Sequence, residues 1–206
     1  LEKRRFPLFQ ALILTVFLAG LPIGSWYYLR EGYNYRKALL EDLSELGSLP
    51  TGNITNTRDS LISLESLQGK ALLFGRLSAP DTGSVKVILR LADQFAESQG
   101  LTFLLLTDSV SATQLWHDHF AGYTPRYPGL FILIDTNNPQ NSPIINQLKP
   151  QWIADNTLAV ADKNGIIRRT YLSTNPPDRQ RLVEHLAILI PSKSTPKPIV
   201  VREIEK

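Results

Sequence analysis

Between Lys70 and Ile190, short apolar runs alternate with amphipathic stretches, and this alternation restricts the fold more than any other feature of the chain. Lys70–Phe74 and Leu101–Thr107 are apolar runs of strand length, as strands buried on both faces require. Between them, Ser84 opens a helix through about Gln99, with Val85, Ile88, Leu89, Ala92 and Phe95 on one stripe and Gly100 as its stop. Asp108 and Ser109 end the second strand, and Ser111 caps a helix carrying Leu115, Trp116 and Phe120. Leu130–Ile134 is a further strand, Asn137–Pro143 a polar loop, and Ile144–Leu148 a helical turn or two. Thr157–Ala161 and Ile166–Leu172 flank the tight turn Asp162-Lys163-Asn164-Gly165 and form an antiparallel hairpin. Asp178 begins a final helix that buries Leu182, Val183, Leu186, Ile188, Leu189 and Ile190. The order strand, helix, strand, helix, strand, hairpin, helix predicts an α/β layer fold with a mixed central sheet over 61–190.

Ahead of this domain, Pro7–Leu29 holds no charged residue over 23 positions. That is long enough to cross a hydrocarbon core of about 30 Å as a helix. Pro22 is expected to kink or loosen the helix, which membrane helices tolerate. Trp26, Tyr27 and Tyr28 suit an interfacial aromatic belt. Lys3-Arg4-Arg5 assigns residues 1–5 to the cytoplasm and the globular domain to the periplasmic or extracytoplasmic side. Arg30, Arg36 and Lys37 weigh against that orientation, with Glu31, Glu41 and Asp42 mixed among them. A cleaved signal peptide would have a shorter apolar core and a small-residue site before a polar stretch. This run is long and leaves through bulky aromatics, so 6–29 reads as an uncleaved single-pass transmembrane helix.

Residues 30–60 read as a juxtamembrane helix and linker. Leu39, Leu40, Leu43 and Leu46 have helical spacing, Gly47 and Pro50 end that helix, and Thr51–Asp59 is a polar linker or irregular edge. Residues 191–206, with Pro191, Pro196 and Pro198, form an extended tail outside the core. Its Ile199-Val200-Val201 suits strand addition to a sheet edge, in this chain or in a partner.

Composition narrows the chemistry. The chain contains no cysteine and no methionine. Disulfide exchange, thiolate zinc or iron–sulfur ligation and thioether ligation of copper or haem are thereby excluded. The formal net charge of +3 lies partly in the Lys3-Arg4-Arg5 cluster and marks no nucleic-acid surface. Gly75 and Gly83 match neither the phosphate-loop nor the dinucleotide spacing, and no small-molecule substrate or cofactor is implied.

The loop after the first strand reads Phe74-Gly75-Arg76-Leu77-Ser78-Ala79-Pro80-Asp81-Thr82-Gly83-Ser84. It resembles the F-G-Y-T-x-C-P-D-x-C-P stretch of Sco-type proteins, the cytochrome-oxidase copper chaperones of the thioredoxin superfamily. Leu106-Thr107-Asp108 through Phe120 resembles the family's aspartate loop and following helix. Asp155–Gly165 resembles its D-H-S/T, apolar strand and D-x-x-G hairpin, with a gap of about two residues. The resemblance implies a thioredoxin-like fold with a mixed central sheet flanked by helices, preceded by the transmembrane helix. In that family two cysteines and one histidine hold copper, and the matching positions here are Ala79, Gly83 and Asn156. Ala and Gly offer no side-chain ligand, and an Asn amide is a poor ligand for a soft metal. The resemblance therefore implies a scaffold without the family's reactive atoms, with Pro80 and Asp81 keeping the turn chemistry of the loop.

Other candidates have plainer readings. His117-Asp118-His119 is the only histidine cluster. On a helix, positions two apart point to different faces, so the pair reads as a surface pair, with a weak or partner-completed metal site as the alternative. His185 beside Glu184 reads as solvated. Asp81, Asp108, Asp135 and Asp162 stand near strand ends, where turn and cap roles compete with acid–base or metal roles. Tyr123, Arg126 and Tyr127 form, with their prolines, either an ordered loop or a docking surface, and Trp26 is a candidate interaction residue in the anchor.

These readings converge on a non-catalytic pseudoenzyme, anchored in the bilayer. It is expected to act as an accessory or assembly subunit beside other subunits of a membrane complex of respiratory type. The alternatives are a Sco-like metal or redox assembly factor using non-cysteine ligands such as His117 and His119, and a free-standing extracytoplasmic binding module.

Overall fold

The computed structural model describes residues 13–57, 59–77, 82–95, 98, 100–107 and 130–191. The chain divides into two compact units, residues 1–43 and 44–206.

The first unit is helical. A π-helical turn, Val16–Gly20, leads directly into α1 (Leu21–Glu41). The π turn includes Leu18, whose carbonyl the Pro22 ring would crowd in a regular α-helix, so widening there relieves the clash. Leu14, Phe17, Leu18, Leu21, Ile23 and Trp26 are all exposed. Residues 6–12 of the expected span lie outside the described residues, and no described helix is long and apolar enough to cross a membrane. The juxtamembrane helix expected from Tyr33 is continuous with the apolar segment and ends at Glu41 rather than Leu46. It stops short because the next residues join the sheet of the second unit, where the Leu46 N–H donates to the Ile167 carbonyl at 2.9 Å.

The second unit is built on a six-stranded mixed sheet in the order β1-β8-β7-β4-β5-β6. Its strands are β1 (Gly47–Ser48), β4 (Ala71–Leu77), β5 (Leu101–Thr107), β6 (Phe131–Asp135), β7 (Thr157–Ala161) and β8 (Ile166–Leu172). β4, β5 and β6 run parallel, while β7 is antiparallel to both β4 and β8. A separate hairpin of β2 (Asn53–Thr55) and β3 (Leu61–Ser63) occupies part of the segment expected to be linker. Its Ile54 is buried, and buried Asn141 accepts the Thr55 N–H at 2.7 Å while donating to the carbonyls of Thr55 and Asp135. The described α-helices of this unit are α2 (Thr82–Phe95), the single turn α3 (Ser142–Ile145) and α4 (Pro176–Leu189). The helix expected over 111–120 lies outside the described residues.

Alternating side chains of the central strands feed two cores on opposite faces of the sheet. Leu73, Leu105 and Leu158 pack with Val85, Ile88 and Leu91 of α2 and Leu182 and Leu186 of α4. Leu72, Phe74, Leu104 and Leu106 pack with Ile54, Ile144 and Trp152 on the other face. This is the α/β layered architecture that the strand–helix alternation predicts, and β5, β7 and β8 have the expected bounds. β4 runs on to Leu77 because Arg76 and Leu77 pair with Leu106 and Thr107 of β5.

Candidate functional site

The last residues of the segment matched to the family's ligand loop, Gly83 and Ser84, are linked through Ser173 to Asn156, the position matched to its histidine. Gly83, the second cysteine position, lies exposed in the first turn of α2. Asn156, the histidine position, directly precedes β7 with φ at 58°, a left-handed conformation that Asn tolerates. Buried Ser84 follows Gly83, and buried Ser173 lies just past β8. Their hydroxyl oxygens are 2.6 Å apart. Ser173 donates to the Asn156 carbonyl twice, from its N–H at 2.8 Å and from its hydroxyl at 3.0 Å. The Ser173 hydroxyl is shared between the Ser84 hydroxyl and the Asn156 carbonyl. The start of α2, the turn before β7 and the end of β8 are thus joined by three hydrogen bonds.

The strands beneath are held equally close. A Cβ at Gly75 would stand 2.7 Å from Leu158 Cδ2 and 2.9 Å from the Thr157 carbonyl oxygen. The glycine of the Phe74-Gly75 pair therefore lets β4 approach β7. Arg179 at the start of α4 donates to the Ser173 carbonyl at 3.1 Å.

Among the described residues, the site offers little chemistry. Gly83 contributes no side chain, and the Asn156 carbonyl serves as an acceptor within the fold. Among the described residues, no group of three or more His, Cys, Asp or Glu is placed to hold a metal ion. Ala79, Asp81, Asp108, His117, His119, Tyr123, Arg126 and Tyr127 lie outside the described residues. Trp26 is exposed on α1, with the Arg30 guanidinium carbon 5.3 Å from its ring centroid.

Two acidic candidates have structural roles. Asp135 Oδ1 accepts the Asn137 N–H. Asp162 Oδ1 accepts the N–H groups of Asn164 and Ile166, and its Oδ2 takes Nε and Nη2 of Arg168 at 2.9 and 2.7 Å. Both follow the turn chemistry of aspartate.

The solvated reading of His185 is corrected. His185 is 0% exposed, and its Nδ1 lies 2.7 Å from the buried Tyr171 hydroxyl. It belongs to the stripe Leu182, His185, Leu186, Leu189, whose i, i+3, i+4, i+7 spacing carries the signal of burial.

Glu65 also escapes a reading of the sequence. It accepts the Ser63 hydroxyl and the Gly52 N–H, the latter at 2.8 Å. The Ser63 hydrogen bond, chief among these, holds its carboxyl below the usual carboxylate range. A cleft of about 430 Å³ between α2 and α4 is a further feature without a local sequence motif, with Gly83 at its edge.

No family model matches the chain, and no curated protein matches it in sequence. Solved structures do match. A protein designated an electron transfer protein, from Aquifex aeolicus VF5, has a TM-score of 0.52 at 12% identity, over 71% of this chain and 98% of its own. One designated a protein disulfide isomerase, from Bacteroides thetaiotaomicron, has a TM-score of 0.52 at 13% identity, over 69% of this chain and 87% of its own. BsSco, a member of the Sco family of cytochrome c oxidase assembly proteins, has a TM-score of 0.50 at 14% identity, over 73% of this chain and 98% of its own. Identities this low speak to the fold alone. The chain has a thioredoxin-like fold, the fold it shares with a Sco-family protein, and carries it without a single cysteine.

Proposed function

We propose that this chain is a non-catalytic, membrane-anchored thioredoxin-like protein that acts as an accessory or assembly subunit of a larger membrane complex. The observation that carries the reading is the Ser84–Ser173–Asn156 linkage in a chain without cysteine or methionine. Where the resemblance would put metal ligands, the described polar atoms hold segments of the fold together. A site whose hydroxyls and carbonyl satisfy one another is suited to shape rather than to turnover.

The anchor part of the reading is supported by the uncharged run 7–29 and by the exposed apolar side chains of its described portion. The basic cluster Lys3-Arg4-Arg5 supports a cytoplasmic N-terminus, with the globular domain on the periplasmic side. The respiratory assignment is supported by analogy with BsSco, whose family is named for oxidase assembly.

Extraction of the full chain in mild detergent, followed by size separation, tests the proposal. The chain is expected to migrate with a large assembly at fixed ratio to its other subunits. Migration as a free protein overturns the subunit reading. Titration with copper is expected to leave the chain unloaded. Stoichiometric, tight copper binding abolished by His117→Ala would replace the proposal with the metal-factor reading.

A further inference from the structure

We infer that the cleft between α2 and α4 is a docking groove for an acidic segment of a partner protein that also presents apolar side chains. The inference rests on the partner-binding reading above and identifies where and how the partner is held. Lys86 and Arg90 stand one turn apart on α2, both exposed, and Arg179 faces them from α4. Val87, Leu91 and Val183 supply an apolar lining between these cations.

Among the described residues, no carboxylate lines the cleft. The nearby acids of α4 are engaged elsewhere: Glu184 accepts from Gln180 at 3.0 Å and Arg181 at 3.4 Å, and Asp178 accepts the Leu172 N–H at 2.9 Å. Two like charges at i and i+4 on one helix repel each other, a small cost that an anionic partner reverses. A cleft with one sign of charge and low-dielectric walls also concentrates its field on an incoming opposite charge.

The combination selects the occupant. A free inorganic anion would use the cations and leave the apolar lining wet. A flat bilayer surface would meet the rim cations but not reach the lining between two helices. A peptide segment carrying Asp or Glu beside Leu, Ile or Val satisfies both, with its carboxylates on the rim and its apolar side chains between the helices. The groove also adjoins the degenerate loop: Gly83 is at its edge, and Arg179 holds the Ser173 carbonyl.

The test uses the purified full chain in a neutral detergent and a short fluorescent peptide alternating Glu with Leu, followed by anisotropy. Its Lys-Leu counterpart and vesicles of phosphatidylcholine with phosphatidylglycerol serve as the other probes. The Glu-Leu peptide is expected to bind and the Lys-Leu peptide not, with affinity falling as salt rises. Lys86→Glu with Arg90→Glu is expected to weaken binding by about tenfold or more. The milder Lys86→Gln with Arg90→Gln should have an intermediate effect, and Lys163→Glu on the β7–β8 turn should have none. Circular dichroism of each variant verifies that these exposed positions leave the fold intact. Equal binding of both peptides, unchanged affinity in the charge-reversed variant, or vesicle binding lost in that variant while no peptide binds would overturn the groove. Its failure is separable from that of the subunit reading, because the titration needs no complex. A chain that binds the acidic peptide yet migrates alone would sink the subunit reading and leave the groove standing.

Discussion

The hydroxyl of Ser173 is the residue-scale hub of the candidate site, because it pairs with both the Asn156 carbonyl and the Ser84 hydroxyl. The two serines are therefore unequal. Ser84→Ala removes one hydrogen bond of Ser173 and leaves Ser173 bonded to Asn156, at an expected cost of about 1 kcal/mol. Ser173→Ala removes both the pairing with the Ser84 hydroxyl and the hydroxyl bond to the Asn156 carbonyl, at an expected cost of about 1–3 kcal/mol. The double variant should cost less than the two single losses added, and urea unfolding of the four proteins measures that coupling. Tyr171→Phe removes the hydrogen bond to His185 and is expected to lower stability by about 1–2 kcal/mol in the same assay. The aromatic face stays in the core, so the change isolates the hydroxyl.

At the scale of elements, close backbone approach and turn anchoring decide stability. Gly75→Ala would press a methyl group against the Thr157 carbonyl oxygen, which belongs to the backbone of β7 and yields only if the strands part. A loss of about 1–3 kcal/mol is expected, read as a fall in the urea midpoint. Glu65 anchors the turn before β2 to the start of the 3₁₀ turn Leu64–Leu67. Its folded pKa is lowered from 4.5, so the unfolded chain takes up the proton first as pH falls. Its contribution is present above about pH 4.5 and disappears as pH drops through the lower folded value. Glu65→Gln should therefore lower Tm at neutral pH, and the gap to the unsubstituted protein should close in acid.

For the whole molecule, the division at residues 43 and 44 has a direct consequence. The 44–206 segment contains both cores, all six strands of the sheet and the candidate site. Expressed alone, it is expected to fold and unfold in one cooperative transition, monitored by circular dichroism. If 7–29 is the anchor, this fragment should also remain in solution without detergent, whereas the full chain should not; sedimentation of both measures it.

Much of the sheet was legible in the sequence because buried strands leave unbroken apolar runs. Leu101–Thr107 is buried at every position, and the Asp162–Gly165 turn announces the β7–β8 hairpin through its side-chain chemistry. The β2–β3 hairpin was not legible, since Asn53 and Thr55 give a polar appearance to a strand whose polar groups are satisfied by distant Asn141. His185 was misread for the same reason: a titratable side chain looks solvated until Tyr171, from another strand, supplies its partner in the core. The absence of cysteine was decided by the sequence alone, because no arrangement of the chain can restore an element it does not contain. What only the tertiary structure decided is that Ser84, Asn156 and Ser173 meet, and that Lys86, Arg90 and Arg179 share one cleft. Such meetings join residues up to about ninety positions apart, and local periodicity, which reads only neighbours along the chain, carries no trace of them.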